Sequence, residues 1–293
     1  MTEYTIREVE SRRDLKKFIR FPLELYKGCD QYVPPLFKGQ EHELMHAAPL
    51  KYCTRKMWIV EDAGGKVVGR ICAMINPRYN EKYGKKRVRF GWFDLINDMK
   101  VAQMLFEAAE SWAKAEGMDE IHGPLYYNTL GRQGMLVEGF DKLAPFSCIY
   151  NYPYYVDIVT GLGFEKECDW IQYMMPADQG VDERMTAIAE RMMARYKIHV
   201  ADFDELKKDP ENIRKFFKAY NESFDGIVHN FIPFTDEEIE EEVKQIIGQL
   251  DSRLCCVLMD EDNEVAAFGI STACVSRAMQ KAKGRLFPFG WYH

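Results

Sequence analysis

The segment Tyr150-Asn151-Tyr152-Pro153-Tyr154-Tyr155 places four tyrosines and an amide within six residues. A phenol can hand a proton to a leaving group, and an amide can orient a polar substrate. Tyrosine is also a common half-buried packing residue, so the cluster reads either as packing or as the lining of a pocket. The stretch from Gly123 to Ser147 is rich in glycine and has little periodicity. Loops this long in a compact domain are usually functional or mobile. This one is expected to close over the cluster and to present Tyr126, Tyr127, Asn128 and Arg132. A second pattern, His42-Glu43-Leu44-Met45-His46, has the His-Glu-x-x-His form of a zinc-protease helix. A catalytic zinc needs a third protein ligand. Ala47-Ala48-Pro49 follows instead and ends the helix. The pair reads as a chance spacing on a solvated helix, and no metal is expected.

These residues must be carried by a chain of 293 residues, long enough for two domains. A net charge of −7 argues against nucleic acid as a partner, because phosphate binding needs a basic face. Lys82, Lys85, Lys86, Arg87 and Arg89 form a local basic cluster, which reads as a solvated loop or as an anion site. No apolar run approaches the roughly 20 residues that span a bilayer, and the first residues lack a signal pattern. A cytoplasmic protein without a membrane partner is expected. Eight cysteines include no Cys-x-x-Cys pair, and disulfides are not expected in that compartment.

The chain writes one unit twice. Trp58-Ile59-Val60-Glu61-Asp62 through Val67-Val68-Gly69 and Leu258-Met259-Asp260-Glu261-Asp262 through Ala267-Phe268-Gly269 are each apolar strand, acidic turn, apolar strand. Glu61, Asp62 and Gly69 recur as Glu261, Asp262 and Gly269 without a gap. Such a repeat indicates tandem domains of related fold. In the first unit the pattern predicts a strand Thr5–Val9 and a helix capped by Ser11 and kinked at Pro22. A helix from Phe37, a hairpin Met57–Ile75 and a strand Val88–Ile96 follow. Asp98 then caps a long helix over Met99–Glu116. A short strand Asp119–His122, a helix Tyr154–Thr160 and a strand pair within Phe164–Met175 complete the unit. Asp182 caps a connecting helix to Tyr196. The second unit has a strand Ile198–Ala201, helices Asn212–Phe224 and Asp236–Leu250 and a hairpin Leu254–Cys274, followed by the segment Ala278–Lys283 and an apolar tail. The domains are read as 1–178 and 197–293, joined by 179–196.

This order, with Gly161-Leu162-Gly163-Phe164 before an aromatic-rich segment, resembles the GCN5-related N-acetyltransferase superfamily. More narrowly, it resembles an uncharacterised bacterial tandem family. The stretches that carry this are Phe21-Pro22-Leu23-Glu24-Leu25-Tyr26, Tyr32-Val33-Pro34-Pro35-Leu36, Phe93-Asp94-Leu95-Ile96-Asn97-Asp98, the tyrosine cluster, and Gly284-Arg285-Leu286-Phe287-Pro288-Phe289-Gly290-Trp291. The resemblance covers essentially the whole chain. It implies an α+β sandwich, that is, tandem mixed sheets flanked by helices, with the second unit incomplete and the chain truncated at its C-terminus relative to that family.

The resemblance also implies acyl transfer from acetyl-CoA or another acyl-CoA to an amine of a small molecule or peptide. In the superfamily a glycine loop and a helix N-terminus hold the pyrophosphate. Here the corresponding Ile96-Asn97-Asp98-Met99-Lys100-Val101-Ala102 has no glycine, and Asp98 puts a carboxylate where a phosphate would sit. No cofactor-binding residue can be assigned. A tyrosine commonly protonates the leaving thiolate in that family, which makes Tyr154 and Tyr155 the catalytic candidates. Tyr126, Asn128, Arg132, Tyr150 and Asn151 are the substrate-binding candidates. The alternative is a non-catalytic ligand- or protein-binding module on the same fold. The unfinished second unit implies an unpaired strand edge and self-association.

Overall fold

The computed structural model describes residues 3–176, 180–245, 247 and 250–292. The expected helix to Leu250 therefore falls partly outside the described residues, at Ile246, Gly248 and Gln249. The 178/179 domain boundary lies outside them as well, as does the end of the apolar tail at His293. Two compact units are present. Met1–Cys168 with Cys274–His293 form one, and Asp169–Ala273 the other.

The first unit is α+β. Its elements run β1 (Tyr4–Glu8), α1 (Arg12–Leu25), α2 (Phe37–Met45), β2 (Thr54–Asp62), β3 (Val67–Ile75), α3 (Pro77–Tyr83), β4 (Arg87–Leu95), α4 (Met99–Ala115), β5 (Glu120–His122) and α5 (Tyr154–Gly161). The strands form one sheet in chain order, antiparallel from β1 to β4 and parallel between β4 and β5. Strand alternation sorts the core onto two faces. Trp58 and Val60 pack with Val101, Leu105 and Phe106 of α4 and Ile158 of α5. Met57 and Ile59 pack on the opposite face with Leu15, Phe18 and Ile19 of α1 and Leu44 of α2. Ser11 and Asp14 form a capping box that starts α1, and Pro22 lies inside the helix as expected.

The second unit carries α6 (Glu183–Tyr196), β6 (His199–Val200), α7 (Phe203–Leu206), α8 (Pro210–Phe224), α9 (Asp236–Gln245), β7 (Cys255–Met259) and β8 (Val265–Ile270). Its three strands are antiparallel in the order β6-β7-β8. Phe216, Phe217, Phe234 and Val257 centre its core. The last helix, α10 (Ser276–Ala282), belongs with the first unit. Gln280 Nε2 donates to the carbonyls of Asp30 and Tyr32 at 2.8 and 3.0 Å.

Two readings change. Phe164–Met175 holds no strand. A strand exists only where a neighbour completes its ladder, and the three-residue β5 offers little edge for one. Phe164 instead packs on Phe106, ring centroids 4.7 Å apart. The basic cluster is not one surface either. Arg87 pairs with Glu120 and Glu167, while Arg89 is buried and donates to the carbonyls of Tyr126 and Tyr127, both at 3.1 Å.

The repeat is real, but its register differs from the ungapped one. Asp62 Oδ1 accepts from the N–H groups of Gly64 and Lys66 at 2.9 and 3.0 Å. In the second hairpin the same work falls to Asp260, whose Oδ1 accepts from Asp262 and Glu264 at 3.0 and 2.9 Å. Asp62 thus corresponds to Asp260, not Asp262. The two-residue shift keeps every side chain on its face, because the strand period is two. Gly69 and Gly269 are then not equivalents. A Cβ on Gly69 would come 2.6 Å from Val101 Cγ1 on α4, whereas Gly269 has open space around it. Gly69→Ala should overpack the sheet–helix contact and cost about 1–3 kcal/mol. Gly269→Ala should stay within about 0.5 kcal/mol of wild type. Urea titration of the two variants measures the difference.

Candidate functional site

The new register exposes a contrast at the centre of the first unit. Arg70 corresponds to Phe268 and Phe18 to Phe216. The Arg70 guanidinium carbon stands 4.9 Å from the Phe18 ring centroid, and the Phe216 and Phe268 rings are likewise 4.9 Å apart. One unit fills this place with an aromatic ring; the other buries a cation there, 3 % exposed. The fold therefore does not require the charge.

Arg70 is held on three sides. Its Nη2 lies 2.6 Å and its Nε 2.7 Å from Asp94 Oδ2, and its Nη1 donates to the Phe18 carbonyl at 2.8 Å. Burial opposes the charge on Arg70, but the adjacent Asp94 outweighs it and raises the guanidinium pKa. The other Asp94 oxygen accepts from Tyr26 Oη at 3.0 Å. Tyr26 Oη is 3.0 Å from Tyr155 Oη, which accepts from the Leu95 N–H at 3.0 Å. One direction satisfies the whole line: Leu95 N–H to Tyr155, Tyr155 to Tyr26, Tyr26 to Asp94.

A bulge aims this end of β4. Arg70 pairs with Asp94 and Cys72 with Gly91, so Trp92 and Phe93 together oppose Ile71. Trp92 takes φ +43°, unusual for a bulky side chain. Its indole stacks on Tyr126 at 3.6 Å between centroids. Bulges commonly re-aim side chains beside a site. A side chain on Gly91 would bring a Cβ within 2.7 Å of the Leu125 carbonyl oxygen.

Of these residues, Arg70, Trp92, Asp94, Tyr126 and Tyr155 line a cavity of about 30 Å³, the room of one small polar group. Two polar atoms on its wall, Trp92 Nε1 and Gln40 Oε1, are buried without a hydrogen-bond partner among the described residues. One is a donor and the other an acceptor.

Of the residues singled out in the sequence, Tyr126, Arg132, Tyr150, Asn151 and Tyr155 reach this cavity. Tyr154 and Asn128 do not line it. Tyr154 Oη donates to the Leu95 carbonyl at 2.7 Å, so both catalytic candidates bind the backbone of Leu95. Asn128 Oδ1 closes a turn by accepting from Leu130 and Gly131. Asn151 is 1 % exposed and grips Leu136 through both its N–H and its carbonyl. Arg132 donates to the Phe146 carbonyl at 2.7 Å. With Arg89, these side chains hold the segment 123–149 over the cavity. Burial pushes the phenols of Tyr26, Tyr126, Tyr127 and Tyr155 well up from their ordinary value.

Tyr26, Arg70, Trp92, Asp94 and Gln40 were missed from sequence. A signal existed for two of them: Arg70 is the lone charge of β3, and Asp94 is the lone carboxylate of β4.

The start of α4 does not fit a pyrophosphate. Asp98 Oδ1 caps the helix by accepting from the Lys100 N–H at 2.9 Å, and its Oδ2 accepts from Tyr4 Oη at 2.7 Å. An anion already occupies the positive end of the helix. Asp98→Ala should cost about 1 kcal/mol through loss of the cap, a small drop in urea midpoint without loss of helix content by circular dichroism. His42 and His46 have ring centroids 6.1 Å apart, and His46 lies past the last residue of α2. Among the described residues no group of three or more His, Cys, Asp or Glu side chains is placed to hold a metal, and no helix is long and apolar enough to cross a membrane.

No family model matches the chain. It is 29 % identical to Protein YghO of Escherichia coli K12 over 98 % of this chain and 72 % of that protein. It is 28 % identical to a bacterial ceramide synthase of Caulobacter vibrioides NA1000, over 97 % of this chain and 73 % of that protein. Among solved structures, it is similar to a tandem GNAT protein from the clavulanic acid biosynthesis pathway, with a TM-score of 0.48 and 10 % identity. That match covers 91 % of this chain and 73 % of the other.

Proposed function

We propose that this chain is an N-acyltransferase-type protein whose first unit receives the amine-bearing head of a lipid-like acceptor. The observation that carries the reading is the near full-length similarity to a bacterial ceramide synthase. A ceramide is the amide of a fatty acid and a long-chain amino alcohol. The cavity chemistry supports an amino-alcohol head. Asp94 and Gln40 Oε1 would accept from an ammonium, and Trp92 Nε1 would donate to a hydroxyl. At about 30 Å³ the cavity takes only such a head, so the 123–149 segment must open for a larger molecule. The acyl donor of the proposal is an acyl-CoA. Its pyrophosphate has no place at the start of α4, where Asp98 already caps the helix.

The reaction class itself is simple: the ammonium first gives up one proton to solvent, the free amine nitrogen forms the C–N bond at the thioester carbonyl, the C–S bond breaks, and the second N–H proton passes to the departing thiolate. The test incubates the purified protein with a long-chain acyl-CoA and sphinganine and detects the N-acyl product by mass spectrometry. Product formation that Asp94→Asn lowers by about 10²-fold or more supports the reading. Absence of both product and saturable amine binding would overturn it.

A further inference from the structure

A second concavity, lined by other residues, lies on the outer face of α1. It has a volume of about 440 Å³, and Phe21 and Val67 contribute apolar wall. Arg13, Lys16, Lys17 and Arg20 follow one another along the helix at spacings that share a face, and Lys66 faces them from the β2–β3 turn. Lys17 is neutralised by Glu61 at 2.5 Å. Among the described residues, Arg13, Lys16, Arg20 and Lys66 have no ion pair, and all four are exposed. Glu24 is the single carboxylate in the wall. In a protein of net charge −7, this leaves a groove with four unpaired cations against one anion.

Unpaired like charges crowded on one face repel one another, and local helix stability does not call for them. The neighbouring Arg7, Asp14, Glu61 and Lys17 show what this surface does with charges it has paired. We infer that the groove seats the phosphate of an anionic phospholipid head group, docking α1 on a membrane surface. The charge is complementary, and the concavity is large enough for a phosphate ester rather than a bare contact. Polybasic clusters of this size on a helix face bind anionic bilayers. The net negative charge elsewhere does not prevent this, since charges beyond about 8 Å are screened at physiological salt. The inference is independent of the acceptor reading, because none of these residues lines the Arg70–Asp94 cavity.

The test is vesicle co-sedimentation of the whole chain with phosphatidylcholine alone and with phosphatidylcholine containing phosphatidylglycerol. Binding is expected only to the anionic vesicles and is expected to fall with added salt. Lys16→Ala with Arg20→Ala should weaken it about 30-fold, roughly fivefold per charge. Lys38→Ala with Lys142→Ala, two exposed cations outside the groove, should leave it nearly unchanged. Circular dichroism confirms that each variant is folded. Equal binding to both vesicles, or none to either, overturns the inference, as does equal weakening by the control pair. Calorimetry with inorganic pyrophosphate and free coenzyme A is the competing arm. If either binds in a Lys16- and Arg20-dependent way while vesicles do not, the groove serves soluble phosphates and the lipid source is wrong.

Discussion

Arg70→Ala is expected to destabilise the first unit by about 3–5 kcal/mol, because it leaves the Asp94 carboxylate buried without its cation. For a unit of this size that corresponds to a fall of roughly 10 °C in its thermal midpoint. The double variant Arg70→Met with Asp94→Leu should recover part of the loss, since an apolar pair of similar volume carries no charge-desolvation penalty, while the Tyr26 hydroxyl and the Phe18 carbonyl each lose a partner. The second unit supports this outcome, because Phe268 occupies the same place against Phe216 without any charge. The two variants separate fold from function. If the pair only holds strands β3 and β4 together, the double variant should also bind the amine acceptor as wild type does. If the pair belongs to the site, that part of the stability returns and acceptor binding does not. Calorimetric unfolding gives the first quantity and titration with sphinganine the second. A rescue of both would remove Arg70 and Asp94 from the site.

The same residues explain what could be read from sequence and what could not. Helices with strong caps and apolar stripes were legible. Ser11, Asp98 and Asp182 start helices where expected, since a cap is a local interaction between residues two or three apart. The hairpin repeat was legible as a pattern but not in register. Matching letters aligned Asp62 with Asp262, whereas the turn is set by which carboxylate accepts its N–H groups. Alternation cannot correct such an error, because a shift of two preserves both faces. Phe164–Met175 reads as strand, turn, strand for its aromatic and apolar residues yet has no ladder, since pairing depends on a distant neighbour. The seven-residue α3 (Pro77–Tyr83) was too short to show a stripe. At the site, the tyrosine cluster was visible because it is contiguous. The Arg70–Asp94 pair is 24 residues apart in sequence and meets only through the β3–β4 register. The density of tyrosines pointed at Tyr150 and Tyr155, which line the cavity, but Tyr26, which links Tyr155 to Asp94, comes from α1's C-cap.

That phenol cluster makes the first unit unusually sensitive to alkali. Tyr26, Tyr126, Tyr127 and Tyr155 are at most 6 % exposed, and burial raises the pKa of each. An unfolded chain releases these protons near pH 10. Below that pH both states hold them, so the stability they contribute is fully present. Above it the unfolded chain binds fewer protons than the folded one, and stability falls with each pH unit until the folded pKa values are reached. Each phenol contributes a slope of about 1.4 kcal/mol per pH unit, so four give about 5.6 kcal/mol per pH unit. A domain stable by roughly 5–15 kcal/mol should therefore unfold cooperatively above pH 10. Phenolate absorbance should rise in the same step in which circular dichroism is lost. A smooth phenolate titration near pH 10 with the fold intact would show that these side chains are accessible. Tyr127→Phe refines the measurement. The Tyr127 hydroxyl is buried without a partner among the described residues, so its removal should not destabilise the protein at neutral pH and should stabilise it by about 1 kcal/mol. It should also reduce the alkaline slope by about 1.4 kcal/mol per pH unit, moving the transition to higher pH.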